Sequence, residues 1–194
     1  CLGVVNSEDS VIKREGTVAQ KIVTGRPRVD ANTVALWHLD ETNGDNAGDD
    51  VFDETGNGYD GEFNGTNIAS AVVEGVVGKA RDFNGTNDNI DLGDNLDIAY
   101  NATQSISEWV KTTGNGYHAI VAKEDSSSPY KGWIFQYRND LQAIGYGYVH
   151  TVNSNQLYVY ASAPINDGKW HHVAVVKPDA NGNNVRLYLE GVSL

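Results

Sequence analysis

The sequence predicts an all-β fold, an antiparallel sandwich or barrel preceded by an extended N-terminal arm. Three observations lead there. Short runs rich in Val, Ile, Tyr and Trp recur along the 194 residues, Gly, Asn and Asp turns separate them (Gly alone occurs 21 times), and no segment sustains a helical period. Many short strands at such spacing close only as stacked antiparallel sheets.

The arm comes first. Residues 1–28 carry Lys13, Arg14, Lys21, Arg26 and Arg28 against Glu8, Asp9 and Glu15, whereas the rest of the chain is strongly acidic. TVAQKIVTG (Thr17 to Gly25) has the β-branched content of a strand, and Arg26-Pro27-Arg28 interrupts it before a domain spanning residues 29–194. That domain opens with TVALWHL (Thr33 to Leu39). SISEWVK (Ser105 to Lys111), YHAIVAK (Tyr117 to Lys123) and GWIFQYR (Gly132 to Arg138) follow, then LQAIGYGYV (Leu141 to Val149) and LYVYA (Leu157 to Ala161). WHHVAVV (Trp170 to Val176) and NVRLYLEG (Asn184 to Gly191) complete the series. FNGTN occurs at Phe63 to Asn67 and again at Phe83 to Asn87, which reads as two similar turns, since a repeat architecture would need further copies.

Composition excludes whole function classes. A formal charge of -12 lacks the Lys/Arg density that phosphate backbones require, so no nucleic-acid partner is expected. No apolar run approaches the ~20 residues of a membrane span. The single cysteine, Cys1, permits neither an internal disulfide nor a structural zinc site. A leading Cys-Leu-Gly resembles the acylated end of a mature bacterial lipoprotein, so a lipid anchor through Cys1 is one expectation, and a thiol paired with another chain is the alternative.

The order of motifs resembles the laminin-G-like, concanavalin-A-like jelly-roll family of extracellular modules. VALWHLDE is similar to its opening strand, DETGNGYDGEFNG to its glycine-rich turn, and VVGKARDFNGTNDNIDLGD to its G-x-A-L-x-F-D-G-x-x-D-Y-V hallmark. SISEWVK, AIVAKED and DGKWHHVAVV with NVRLYLEGV follow in the family's order. The resemblance implies a jelly-roll β-sandwich, an extracellular or cell-surface setting and structural calcium. It also implies further strands after LYLEGV, where this sequence ends at Leu194. A sandwich without them would present an open edge, and the arm offers a strand to fill it. Donated to a neighbour head-to-tail, that strand would build filaments; used at home, it would complete its own domain.

Candidate chemistry is sparse. Asp49, Asp53, Asp88 and Asp91, in loops with Asp40, Asp45, Asp50 and Asp94, are the candidate calcium ligands, because Ca²⁺ takes six to eight oxygens and Gly/Asn turns present carbonyls readily. Tyr146 and Tyr148 share one strand face, as do Tyr158 and Tyr160, and either pair is a candidate for stacking on sugars or for plain sheet packing. Asn64, Asn84 and Asn101 head glycosylation triplets. Strand alternation sends His171 and His172 to opposite faces, so they cannot share a metal without a bulge, and both read as structural. Glu108 alternates with Ile106 and Val110 and points inward, with a structural hydrogen-bonding role expected and no paired carboxylate for glycoside hydrolysis.

No enzyme is expected. The leading expectation is a structural or adhesive protein that associates with copies of itself by strand donation. The alternative is a carbohydrate-binding module of a larger secreted enzyme or adhesin, with cell-surface glycans as partners.

Overall fold

The computed structural model of the chain describes residues 2–3, 26–41, 51–65, 71–125, 130–151, 154–178 and 184–194. Among them the chain forms fourteen strands and no α-helix. In order these are β1 (Leu2–Gly3), β2 (Leu36–Trp37), β3 (Glu62–Asn64), β4 (Val72–Glu74), β5 (Lys79–Arg81), β6 (Asn89–Asp91) and β7 (Gln104–Lys111). The second half supplies β8 (Tyr117–Glu124), β9 (Gly132–Arg138), β10 (Ala143–Thr151), β11 (Ser154–Ser162), β12 (Trp170–Lys177), β13 (Arg186–Leu189) and β14 (Val192–Ser193).

Two sheets dominate. One is six-stranded in the order β14-β13-β12-β7-β1-β2, the other four-stranded in the order β11-β10-β9-β8, and every pairing is antiparallel. Alternation fixes the core between them. Ile106 of β7, Val173 and Val175 of β12 and Leu187 of β13 come from the first sheet. Trp133, Phe135 and Tyr137 of β9 with Ile144, Tyr146 and Tyr148 of β10 come from the second. Interdigitated inner faces of this kind define a β-sandwich, the architecture the sequence predicts. The β13–β14 hairpin turns through Glu190 (φ 51) and Gly191 (φ 77), the two positive angles that a type I′ turn needs.

A second cluster packs Ala35, Trp37, Leu39 and Val51 against Tyr59, Ile90 and Leu92. Trp37 Nε1 donates to Tyr59 O at 2.7 Å. Ile90 belongs to the β3–β6 ribbon, and β4 and β5 form another two-stranded ribbon.

The opening strand is shorter than the TVALWHL run, only Leu36–Trp37. The strand expected at Thr17 to Gly25 lies outside the described residues. Leu2 and Gly3, however, sit inside the six-stranded sheet, paired with Glu108 and Ser107 of β7 on one side and with Trp37 and Leu36 on the other. The first residues of the arm thus pair within their own chain.

Strand β9 departs from simple alternation. All five residues from Trp133 to Tyr137 are buried, including Ile134 and Gln136, whose side chains face away from the core. Something covers the outer face of this sheet.

Candidate functional site

The cover is a set of tyrosines. Pairing across the four strands places side chains of the outer face in rows: Tyr117-Arg138-Ala143-Ser162, Ala119-Gln136-Gly145-Tyr160, Ala122-Ile134-Gly147-Tyr158 and Glu124-Gly132-Val149-Gln156. Small residues therefore face large ones within a row. Tyr160 and Tyr158 on the edge strand β11 stand opposite Gly145 and Gly147 on β10.

The glycines decide how the rings lie. A Cβ on Gly145 would collide with Tyr160 Cδ1 and Cε1, and one on Gly147 would come within 2.9 Å of Tyr158 Cε1. With no Cβ beneath them, the rings fold down across β10 instead of standing off the sheet. The Tyr160 hydroxyl reaches β9, two strands from its own α-carbon, and accepts a hydrogen bond from Gln136 Nε2 at 3.1 Å. Tyr158 remains 51% exposed, Tyr160 36% and Tyr117 57%, so the rings cover Ile134 and Gln136 yet present themselves to solvent.

Charge holds the platform in place. The Arg138 guanidinium lies 5.2 Å from the Tyr117 ring centroid and 5.8 Å from that of Tyr160, a cation–π contact with both. Asp140 clamps the same guanidinium through Nε–Oδ1 at 2.8 Å and Nη2–Oδ2 at 2.5 Å. That fork spends the arginine's charge and fixes its plane. Burial raises the Tyr117 and Tyr158 hydroxyls above the usual tyrosine value, and the Glu124 charge raises both further. Burial also pushes the Glu124 carboxyl up. Beneath the rings Gln136 is fully buried, and its Oε1 has no hydrogen-bond partner among the described residues. A buried carbonyl left open costs free energy unless something else satisfies it.

Flat aromatic rings with a few polar groups at their rim are suited to a ligand that has both an apolar face and a hydroxylated edge. A family model described as "Concanavalin A-like lectin/glucanases superfamily" matches residues 84–194, more than half of the chain. The chain belongs to this superfamily. No curated protein and no solved structure matches it. The superfamily match covers β6 through β14 and so contains the whole tyrosine face.

Within this concanavalin A-like domain, the residues singled out in the sequence fall in different places. Tyr158 and Tyr160 are on the platform. Tyr146 and Tyr148 are not: they point into the core, 0% and 6% exposed, with hydroxyls bonded to Gln104 Oε1 at 2.6 Å and to Ile98 O. Neither ring can stack on a ligand. Alternation groups residues by face but does not say which face is inside, and here β10 turns its tyrosines in and its glycines out. Tyr117, Gln136 and Glu124 escaped sequence reading. The bulge at Ile120, where the register shifts between Ala119 and Val121, separates the faces of the two halves of β8. The alternating Gly145 and Gly147 opposite Tyr160 and Tyr158 were the available signal.

The described candidate calcium ligands, Asp53, Asp88 and Asp91, each organise a local turn. Asp53 accepts from the amides of Leu36 and Thr55 at 3.0 Å each and from Thr55 Oγ1 at 2.5 Å, organising its turn. Asp88 accepts from Asn84, and Asp91 accepts from the Gly93 amide and borders a shallow depression with Asp60 and Glu62. Asp49 lies outside the described residues. Among the described residues no three His, Cys, Asp or Glu side chains form a metal-binding group. Of the glycosylation candidates, Asn101 is exposed, Asn64 is half-buried in β3, and the Asn84 amide is held by Asn87 and Asp88.

His171 and His172 do lie on opposite faces. His171 bonds on both ring nitrogens, to Asp167 Oδ1 at 2.9 Å and Glu190 Oε1 at 3.1 Å, while the His172 ring packs 5.3 Å from Trp109. Glu108 is buried in the core as expected, but its Oε1 finds no partner among the described residues, and burial pushes its carboxyl up to about 8.

Proposed function

We propose that the chain is a non-catalytic glycan-binding module that takes a sugar chain on the outer face of its four-stranded sheet. The observation that carries this reading is the pair Tyr158 and Tyr160, laid over paired glycines with their rings open to solvent above the buried, half-satisfied Gln136. A pyranose stacks its C–H face on such rings while its hydroxyls meet the polar rim. Successive tyrosines on one strand face are spaced about 6.8 Å apart, comparable to one sugar unit of an extended chain. Membership of a lectin-containing superfamily supports the same reading.

Glycoside hydrolysis ordinarily uses two carboxylates across the scissile bond. The carboxylates flanking this face are Glu124 and Asp140, and Asp140 is held by Arg138. That supports binding without cleavage. The module would act outside the cell, the usual setting of laminin-G-like domains; no helix among the described residues is long and apolar enough to cross a membrane. Affinity electrophoresis through gels containing neutral polysaccharides tests the proposal. Retardation by at least one polymer, removed in the Tyr158→Ala/Tyr160→Ala double variant, is the expected result. Migration unchanged by every polymer would overturn it.

A second reading, self-association, draws on β1. Its slot between β7 and β2 would accept the same segment from a second copy with the same contacts, and head-to-tail exchange would give filaments. Sedimentation of the full chain beside residues 26–194 separates the cases. Oligomers that vanish with the arm support exchange, and two monomers refute it.

A further inference from the structure

The polar rim of the tyrosine face is electrically lopsided. Glu124 sits exposed at the end of β8, opposite Gly132, in the outer-face row next to that of Tyr158. Burial raises the Tyr117 and Tyr158 hydroxyls, and the Glu124 charge on the same face raises both further. No cation answers it among the described residues. Arg138 is forked onto Asp140. Lys123, the preceding residue, points to the other face and bonds Asp94, with Asp97 at 3.7 Å.

We infer that Glu124 sets the charge of the ligand: the tyrosine face accepts uncharged glycans and rejects uronic or sulfated ones. The inference rests on the glycan-binding reading above. A free carboxylate is an acceptor only, with room for several donors, and neighbouring hydroxyls of a neutral sugar supply them in charge-assisted bonds. A sugar acid held on the rings brings a like charge close to the carboxylate, and that repulsion opposes binding. The formal charge of -12 on the chain adds long-range repulsion of the same sign, which salt screens, whereas the Glu124 contribution is local.

The test compares matched polymers on one backbone: hydroxyethyl cellulose with carboxymethyl cellulose, and dextran with dextran sulfate, alongside a neutral galactomannan. Dissociation constants are measured for the wild type and Glu124→Gln in about 20 mM and about 500 mM salt, conditions that move the screening length from roughly 20 Å to a few Å. The wild type should bind a neutral polymer and its anionic partner about tenfold more weakly, as expected for one close like charge. Glu124→Gln should close that gap to about twofold, because anionic binding improves about twofold while neutral binding weakens about threefold with the charge-assisted bonds lost, and high salt should shrink the wild-type gap. Neutral binding retained with the gap unchanged in Glu124→Gln overturns the selectivity role alone. A wild-type gap that disappears in high salt does the same without the variant, because the global charge then accounts for it. Failure of the wild type to bind any neutral polymer overturns the glycan-binding reading and this inference together.

Discussion

Two tyrosine pairs on adjacent strands of one sheet meet opposite fates. Tyr146 and Tyr148 on β10 fill the sandwich core; Tyr158 and Tyr160 on β11 cover its outside. Their sequence patterns are nearly the same, tyrosine at every second position. What separates them is the residue between and the residue opposite. On β10 the intervening positions are glycines, too small to fill a core, so the tyrosines face in and the glycines face out. On β11 the intervening Leu157, Val159 and Ala161 pack inward, which turns the tyrosines outward onto those same glycines. One strand's vacancy seats the other strand's rings. The inner pair contributes stability and the outer pair presents a surface.

The largest expected effect separates the pairs by stability. Tyr146→Ala should lower the unfolding free energy by about 3–5 kcal/mol, as for other large core aromatics, while Tyr158→Ala should lower it by under about 1 kcal/mol. Urea unfolding of both variants checks this, and equal losses would break the contrast.

The inner and outer carboxylates give the next contrast. Glu108 in the core has its carboxyl pushed up to about 8 from 4.5, so between those values the folded chain holds a proton that the unfolded chain has released. Stability should therefore fall as pH rises through that window, by on the order of a few kcal/mol. Glu108→Gln should flatten the slope. A wild-type profile equally flat from pH 5 to 8 would contradict the buried, unpaired placement of this side chain.

The glycines tie the pairs together. Gly145→Ala should displace the Tyr160 ring and weaken glycan binding about tenfold, although alanine suits a strand better than glycine by roughly 0.5–1 kcal/mol. Gly147→Ala, whose Cβ meets Tyr158 less closely, should weaken it about threefold, a smaller loss on the same energy scale. Titrations of the two variants rank them, and the reverse order would mean that Tyr158 carries more of the binding. The smallest change is Tyr146→Phe, which removes the hydroxyl bonded to Gln104 Oε1 and should cost about 1 kcal/mol with binding untouched.

Much of the fold was legible in the sequence because strands announce themselves locally. GWIFQYR is β9 residue for residue, and WHHVAVV and SISEWVK each miss their strands by one residue. TVALWHL promised more strand than Leu36–Trp37 delivers, because Asp53 takes the Leu36 amide and turns the chain's pairing toward a loop. The site was half legible. Period-two patterning grouped the tyrosines correctly, but inside and outside are set by what packs against each face, a long-range fact. Tyr117 joins the platform through Arg138, which follows it by 21 positions, and His171 meets Glu190, 19 positions on; neither link has a local signature.

The division of labour between the pairs is tested most directly by tyrosine-selective ¹³C labelling of the ring carbons and titration with whichever neutral polymer retards the protein. The ring resonances of Tyr158, Tyr160 and Tyr117 should shift together with one dissociation constant, while those of Tyr146 and Tyr148 stay fixed. Shifts confined to residues away from the four-stranded sheet, or a platform that does not respond while the polymer binds, would contradict the assignment of this face as the site.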